Sequence, residues 1–120
     1  MNEVIVDTNF LIYSFDNKWN LRDMIVDLLG DSRMLYTQRT LSELKKLGRD
    51  DIISWLSSQG FELAEVETKG RVDDSLINLS SRRKAFLLTE DKKMIEKALS
   101  HGVKVISKGW KNRLKIVSKA

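Results

Sequence analysis

Residues 4–15 read VIVDTNFLIYSF, so that one carboxylate, Asp7, stands between two apolar runs that are typical of a protein interior. The run before Asp7 predicts a buried strand over residues 3–6, and the residues after it predict a short helix that begins near Phe10. A buried carboxylate without a partner costs several kcal/mol or takes up a proton. Asp7 is therefore either satisfied by the backbone amides of a turn or placed there to hold a cation.

Beyond this stretch, short apolar segments alternate with segments of helical periodicity. Helices are predicted over residues 19–29, 41–47, 52–56, 72–81 and 91–100, and single glycines end three of them, at Gly30, Gly48 and Gly60. Further strands are predicted over residues 34–36, 61–66, 85–88 and 103–106, with a short extra strand in the tail. This alternation predicts an open α/β sandwich with a largely parallel sheet. Ligands of such sheets bind beyond the carboxyl ends of the strands, where Asp7 lies.

The composition is typical of a globular protein. A chain of 120 residues is most simply one domain, and its charged fraction of 32% and hydrophobic fraction of 42% fit a soluble one. Without a run of 18 apolar residues or a signal-peptide pattern, we expect no membrane association. The chain has no cysteine, which excludes disulfides and thiolate metal sites and favours a cytoplasmic location.

The net charge of +4 conceals an uneven distribution of charge along the chain. Residues 1–81 contain 9 Lys and Arg against 14 Asp and Glu, a net of −5, whereas residues 82–120 contain 12 against 3, a net of +9. This division favours one surface that attracts a polyanion and another that holds cations. A solvated basic face that keeps the protein soluble explains the composition equally well.

Four acidic positions lie just after predicted strands or near the starts of predicted helices. They are Asp7, Glu43, Asp74 with its neighbour Asp73, and Asp91. Apart from Asp7, each also fits a structural role: Thr40 and Glu43 match a capping box, and the other aspartates lie where helix caps are expected. Two carboxylates about 4 Å apart repel by roughly 4 kcal/mol at an effective dielectric constant near 20. A cluster of four would need a hard cation such as Mg²⁺ or Mn²⁺, and spacing alone leaves open whether the four converge.

Four segments, VIVDTNFLI, LSELKKL, VDDSLINLS and LLTEDKKM, in this order and at these separations, resemble the motifs of the PIN-domain ribonuclease family. The resemblance covers nearly the whole chain and implies a single PIN domain over residues 1–120. It is strongest to small stand-alone archaeal PIN proteins related to small-subunit rRNA-processing nucleases, and the toxin ribonucleases of toxin–antitoxin pairs are close relatives. It implies a three-layer α/β/α fold with a five-stranded, mainly parallel sheet.

The resemblance also implies a set of site residues and a reaction. The catalytic and metal-binding carboxylates would be Asp7, Glu43, Asp74 and Asp91, and the supporting residues Thr8, Asn9, Asp73 and Thr89. The doubled aspartate leaves the third ligand open between Asp73 and Asp74, and Glu90 stands where an asparagine is common in the family. The implied reaction is hydrolysis of RNA phosphodiester bonds with one or two Mg²⁺ or Mn²⁺ ions. His101 is expected at a helix end and not in catalysis.

Candidate RNA-binding residues are basic or aromatic and lie in the C-terminal third. They are Arg82, Arg83, Lys84, Lys92, Lys93, Lys108, Trp110, Lys111, Arg113 and Lys115. The basic side chains would bind phosphates without reading sequence. Trp110 would either stack on a base or pack the last strand against the core. Trp19 and Trp55 lie on helical stripes and are expected in the core.

Three functions fit these residues. The first is a ribonuclease that processes rRNA or other structured RNA, and the second is a toxin ribonuclease neutralised by an antitoxin partner. The third is a non-catalytic RNA-binding or ribosome-assembly module, which is disfavoured because all four acidic residues are present. A receiver-type phosphoacceptor is set aside because Asp7 has no neighbouring acid. Many members of the family form homodimers, and the apolar helix at residues 52–56 would be either an interface or core.

Overall fold

The computed structural model describes residues 1–64 and 72–117, except for the side chains of residues 72–74. Its strands are β1 (Asn2–Val6), β2 (Ser32–Tyr36), β3 (Glu62–Leu63), β4 (Phe86–Leu88), β5 (Lys104–Lys108) and β6 (Leu114–Val117). Its helices are α1 (Thr8–Asp16), α2 (Leu21–Leu29), α3 (Gln38–Lys46), α4 (Asp50–Ser58), α5 (Val72–Arg83) and α6 (Lys92–Ser100). Among the residues so described, no helix is both long enough and apolar enough to cross a membrane.

The strands form one mainly parallel sheet in the order β3-β2-β1-β4-β5-β6. The first five strands are parallel, as predicted, and β6 runs antiparallel to β5. The sheet thus has six strands where the family resemblance implied five, because the tail turns back as a hairpin. The chain leaves β1 first towards β2 and later returns to add β4 on the other side. The crevice between the carboxyl ends of β1 and β4 is therefore the point where this fold class binds ligands.

Helices cover both faces of the sheet and confirm the three-layer α/β/α architecture. Side chains of successive strand residues alternate between faces, so that Val4 and Val6 belong to one core cluster and Ile5 to the other. The first cluster includes residues from α1 to α4, and the second includes residues from α5 and α6. Ile52 and Leu56 are fully buried in the first cluster, so the apolar stripe of α4 is core.

Helix ends agree with the sequence prediction at the glycines but not at Thr40. Gly60 has a φ of +80°, so its backbone favours glycine; a Cβ there would lie 2.5 Å from a guanidinium nitrogen of Arg22, a flexible side chain that can move away. The capping box at Thr40 and Glu43 is wrong, because α3 begins earlier, with Thr37 as the N-cap. The strand predicted over residues 61–66 is shorter in the structure, where Phe61 and Ala64 lie outside Glu62–Leu63; residues 65 and 66 are outside the described part of the chain.

Candidate active site

Asp7 is the N-cap of α1 and comes directly after β1. One carboxylate oxygen, Oδ1, accepts a hydrogen bond from the backbone N–H of Phe10 at 2.9 Å. The residue is only 6% exposed, as its apolar flanks predict. The turn interpretation of Asp7 is therefore correct for one oxygen, and it does not account for the other.

Thr89 connects the second oxygen of Asp7 to Asp91. The buried hydroxyl of Thr89 donates to Oδ2 of Asp7 and accepts from the backbone N–H of Asp91 at 3.1 Å. Asp91 in turn caps α6, since its Oδ1 accepts from the backbone N–H groups of Lys93 and Met94 at 3.0 and 3.1 Å. One threonine after β4 thus binds the carboxylate of Asp7 and the backbone of Asp91.

Glu43 is positioned by a chain of threonine hydroxyls. Thr8 donates to Oε1 of Glu43 at 3.0 Å. A hydroxyl has a single proton, so the 2.9 Å contact between Thr8 and Thr40 must be donated by Thr40. Thr37 donates to Thr40 at 3.4 Å. Three hydroxyls therefore form a directed chain that ends on Glu43, which lies in the second turn of α3.

Burial raises the pKa of Asp7, and the charge of Asp91 adds to this effect. Hydrogen bonds from Thr89 and from the backbone N–H groups of Phe10 and Asn9 act in the opposite direction. The balance indicates a carboxylate that would gain free energy from a nearby positive charge, because such a charge stabilises the ionised form.

Asp7, Glu43 and Asp91 line one cavity of about 80 Å³ at the carboxyl edge of the sheet. The other lining residues are Thr8, Asn9, Thr37, Arg39, Thr40, Ser75, Leu76 and Met94. A cavity of this size leaves room for an ion and a few water molecules but not for a nucleotide base. The structure thus brings together three of the four predicted carboxylates with Thr8 and Asn9.

Comparison with known proteins identifies the family to which this arrangement belongs. The sequence profile of a family described as a PIN-like domain matches residues 4–110. The chain belongs to the PIN-like domain family. This family consists of nucleases, and the resemblance seen in the four sequence motifs is confirmed.

Individual relatives of this PIN-like domain agree with the assignment. Ribonuclease VapC9 of Archaeoglobus fulgidus is 32% identical over 109 residues, which cover 84% of this chain and 78% of the relative. The structure of the PIN domain endonuclease Utp24 matches with a TM-score of 0.79 at 21% identity, over 95% of this chain and 90% of that one. The structure of VapBC-1 from Haemophilus influenzae matches with a TM-score of 0.62 at 18% identity, over 82% and 93%. At these identities the two structures show the shared fold.

The donor set of the cavity suits a hard divalent cation. Its acidic ligands are oxygen donors, which Mg²⁺ and Mn²⁺ prefer, and a cation would offset the burial that raises the pKa of Asp7. Among the side chains that the structure describes, no three acidic groups already surround one point. Asp73 and Asp74, the candidates for the third ligand, lie outside the described side chains, and the next residue, Ser75, lines the cavity.

Four polar lining residues of the PIN-like domain were not predicted as site residues: Thr37, Arg39, Thr40 and Ser75. Thr37 carries a signal that sequence reasoning passed over, because it is the first polar residue after the apolar end of β2. Arg39 carries none, since an arginine in the first turn of a helix is ordinarily a surface residue. It places a positive charge at a cavity that is otherwise acidic.

The predicted RNA-binding residues divide between the two edges of the sheet. Arg83 donates to both oxygens of Glu3 at 2.9 Å, and Glu3 lies at the amino end of β1. The helix α5 ends with Arg82 and Arg83, and Lys84 follows it at this amino edge. The structure therefore does not bring these three residues to the carboxylate cavity. Lys92 and Lys93, in contrast, are exposed in the first turn of α6, next to Asp91.

The hairpin between β5 and β6 carries the remaining candidates on the cavity side. Lys108 ends β5, and Lys111 and Asn112 turn the chain with φ angles of +50° and +55°. Trp110, at the tip, is 80% exposed, so its interpretation as core packing is wrong. Arg113 and Lys115 follow and are also exposed. Trp19 and Trp55 are half-buried against the core, as expected.

Glu90 and His101 have structural partners. The carboxylate of Glu90 accepts from the hydroxyl of Ser107 at 2.7 Å and from the backbone N–H of Lys108. Glu90 therefore fixes the carboxyl end of β5. His101 caps the C-terminus of α6, where its Nδ1 lies 2.7 Å from the carbonyl oxygen of Lys97, in agreement with the expected helix-end role.

Proposed function

We propose that this PIN-like domain is a divalent-metal-dependent endoribonuclease whose centre is the cavity lined by Asp7, Glu43 and Asp91. The observation that carries the proposal is that these three carboxylates, separated by up to 84 residues of sequence, line one small cavity where a buried aspartate has a raised pKa. Membership of a nuclease family and the likeness to Ribonuclease VapC9 support the reaction class.

The proposed metal ligands are Asp7, Glu43, Asp91 and one of the pair Asp73 and Asp74. A bound Mg²⁺ or Mn²⁺ lowers the pKa of a coordinated water and stabilises charge on the scissile phosphate and on the leaving oxygen. The threonine hydroxyls hold the carboxylates for this role: Thr89 orients Asp7, and Thr8 orients Glu43. Such fixed orientation is the contribution that neighbours of metal ligands make to affinity and rate.

The RNA substrate would be bound by the cations on the same edge of the sheet. These are Lys92, Lys93, Lys108, Lys111 and Arg113, with Trp110 exposed among them to stack on a base. Lys92 and Lys93 directly follow Asp91, and Lys108 lines the cavity that adjoins the acidic one, so that the phosphates of a bound RNA would be held on the β4 side of the cutting site. The proposal places the protein in the cytoplasm, with its RNA substrates.

The substrate we propose first is rRNA or another structured RNA that is matured by cleavage. The likeness to Ribonuclease VapC9 favours a second candidate, a toxin ribonuclease that an antitoxin partner neutralises. Expression of the active protein and of its Asp7→Asn variant in a bacterial host separates the two. Growth arrest by the active protein but not by Asp7→Asn supports the toxin candidate if co-expression of a protein that co-purifies with it relieves the arrest.

Cleavage of an end-labelled structured RNA tests the reaction itself. The wild type is compared with Asp7→Asn in Mn²⁺, in Mg²⁺ and in EDTA, and Asp31→Asn is the matched control. Asp31 is an exposed aspartate at the amino end of β2, on the opposite edge of the sheet. We expect metal-dependent cutting by the wild type and the control, and none by Asp7→Asn. RNA binding without cutting in every metal would contradict the proposal and favour a non-catalytic RNA-binding module.

A further inference from the structure

A second cavity, of about 380 Å³, adjoins the carboxylate cavity and shares Asp7, Asn9 and Asp91 with it. Its outer wall consists of Phe10, Tyr13, Glu90 and Lys108. We propose that this second cavity binds the nucleotide next to the scissile phosphate, with the base against the Tyr13 ring and its phosphate on Lys108. The proposal rests on the proposed function, because it takes the carboxylate cavity as the cutting site.

The aromatic wall is a fixed group of three rings. Tyr13 contacts Trp19 at 5.1 Å between ring centroids with an interplanar angle of 90°. Phe10 contacts both of these rings, at 6.3 and 6.2 Å. Phe10 is buried, whereas Tyr13 is 37% exposed. An exposed ring held by two neighbours is a suitable platform for a base, because base–aromatic stacking accepts any base and needs little reordering of the ring.

The cation of the second cavity is also held in place. The ammonium of Lys108 donates to the Tyr13 hydroxyl at 2.9 Å and lies 5.3 and 5.9 Å from the ring centroids of Tyr13 and Trp19. The hydrogen bond with Tyr13 raises the pKa of Lys108, so this side chain stays charged at neutral pH. Glu90 accepts from the backbone N–H of Lys108 and fixes the strand end that carries it.

Size and continuity indicate which ligand fits. The carboxylate cavity, at about 80 Å³, is too small for a base, whereas about 380 Å³ lies within the range of small-molecule sites. A phosphate that reaches Asp7 and Asp91 in the shared wall therefore leaves its neighbouring nucleoside in the larger space. An aromatic face with one fixed cation matches the two parts of a nucleotide, a flat base and an anionic phosphate. Because the cation is already ordered, less entropy is lost on binding.

The test is the affinity for a fluorescein-labelled oligouridine hexamer, measured by fluorescence anisotropy in EDTA, with the oligonucleotide checked for integrity afterwards. The variants are Lys108→Met, Tyr13→Leu and Tyr13→Phe. Lys104→Met is the matched control, because Lys104 is an exposed lysine of the same strand whose ammonium lies 4.8 Å from the ring centroid of Phe86, but at the amino end.

We expect Tyr13→Leu to weaken binding by about tenfold, the order of one base stack, and Lys108→Met to weaken it by about the same factor through loss of a phosphate contact. Tyr13→Phe retains the ring and should lose less than threefold, and Lys104→Met less than twofold. Lys108→Met should also reduce the salt slope of the affinity by about 0.7, the value for one phosphate contact of a single strand. Tyr13→Leu should leave that slope unchanged, which separates stacking from charge.

Wild-type affinity in both Lys108→Met and Tyr13→Leu would overturn the proposal, as would an equal loss in Lys104→Met or no binding by the wild type at millimolar concentration. If Tyr13→Leu does not fold cooperatively, the affinity and salt slope of Lys108→Met decide. Because no cleavage is required, failure of the subsite and failure of the nuclease proposal are distinguishable. If the protein cuts RNA but these variants do not change its affinity, the nuclease proposal stands and the subsite proposal fails. If the variants weaken binding but the protein does not cut RNA, the second cavity binds a nucleotide and the nuclease proposal fails.

Discussion

The hydroxyl of Thr8 donates to the carboxylate of Glu43 at 3.0 Å and so joins the first residue of α1 to the second turn of α3. Thr8 directly follows Asp7, and the same short segment therefore holds one carboxylate in its own cap and a second across the crevice. Thr89 has the corresponding role on the other side, between Asp7 and Asp91. Two threonines thus donate to the carboxylates of Glu43 and Asp7, and Thr89 also holds the backbone of Asp91.

Thr8→Val removes the donor to Glu43 while approximately retaining the volume of the side chain. It also deprives the Thr40 hydroxyl of its acceptor. We expect a loss of about 1–2 kcal/mol in the free energy of unfolding and, since Glu43 is no longer held, a decrease of about tenfold in kcat/KM for RNA cleavage. Thr8→Ser should retain most of the stability and most of the cleavage activity. Loss of stability with full activity would instead make Thr8 a purely structural residue.

Asp7→Asn should leave the stability of the metal-free protein unchanged or raise it by up to about 1 kcal/mol at pH 7. Asparagine remains a good N-cap for α1, and it removes a charge that burial and Asp91 disfavour. Asp7→Leu is the matched comparison, because it leaves the N–H of Phe10 and the hydroxyl of Thr89 without their acceptor. We expect it to cost about 1–3 kcal/mol. Urea unfolding in EDTA measures both, and an equal loss in the two variants would contradict this prediction, because it would show that the charged carboxylate itself stabilises the metal-free protein.

Trp110→Ala should weaken RNA binding by roughly tenfold, the order of one base stack, and change the free energy of unfolding by less than about 0.5 kcal/mol. The reason is its 80% exposure at the tip of the hairpin, where it packs little against the core. Leu47→Ala is the control, since Leu47 is an exposed apolar side chain that follows α3 and lies outside the hairpin. Anisotropy and urea titrations measure the two quantities. A large loss of stability would restore the packing interpretation of Trp110.

Arg83→Met should lower stability and leave RNA affinity unchanged, in contrast to Lys108→Met. The hydrogen bonds from Arg83, followed by the charges of Arg83 and Arg33, lower the pKa of Glu3. This contribution is present above the unfolded pKa of glutamate, about 4.3, and is lost as the pH falls through the lowered folded value. The free energy of unfolding of the wild type should therefore exceed that of the variant by roughly 1 kcal/mol or less at pH 7. This difference should become progressively smaller in acid. A difference that does not change with pH, or a loss of RNA affinity, would contradict this role.

The alternation of apolar strands with periodic helices was sufficient to predict most of the fold. Asp7 could be singled out because a carboxylate between two apolar runs has few physical solutions. The sixth strand was only suggested, since a short tail segment pairs with β5 through a turn in which Lys111 and Asn112 adopt left-handed backbone angles. Gly109 and Asn112 are residues that turns favour, but neither left-handed position is a glycine, so the sequence signal for this turn is weak. Because Trp110 lies in that turn, the sequence did not predict its exposure either.

The cavity was less predictable than the fold, for reasons of topology. Thr40 and Glu43 match a capping box, but Thr37 lies three residues earlier, directly after β2, and takes the cap instead. The hydroxyl chain to Glu43 depends on the approach of α1 and α3, which local patterns do not encode. Arg83 shows the same limit, because its distance from the cavity is set by the length of α5. At about 1.5 Å per residue, the 12 residues of α5 separate its ends by roughly 18 Å.

The central claim is that Asp7, Glu43 and Asp91 hold a divalent metal ion, and calorimetric titration with Mn²⁺ in the absence of RNA tests it most directly. The wild type is compared with Asp7→Asn, Glu43→Gln and Asp91→Asn, and with Asp31→Asn as the control. We predict saturable binding by the wild type and the control, and affinity at least about tenfold weaker in each of the other three variants. No binding by the wild type in the millimolar range, or unchanged affinity in Asp7→Asn, would contradict the claim.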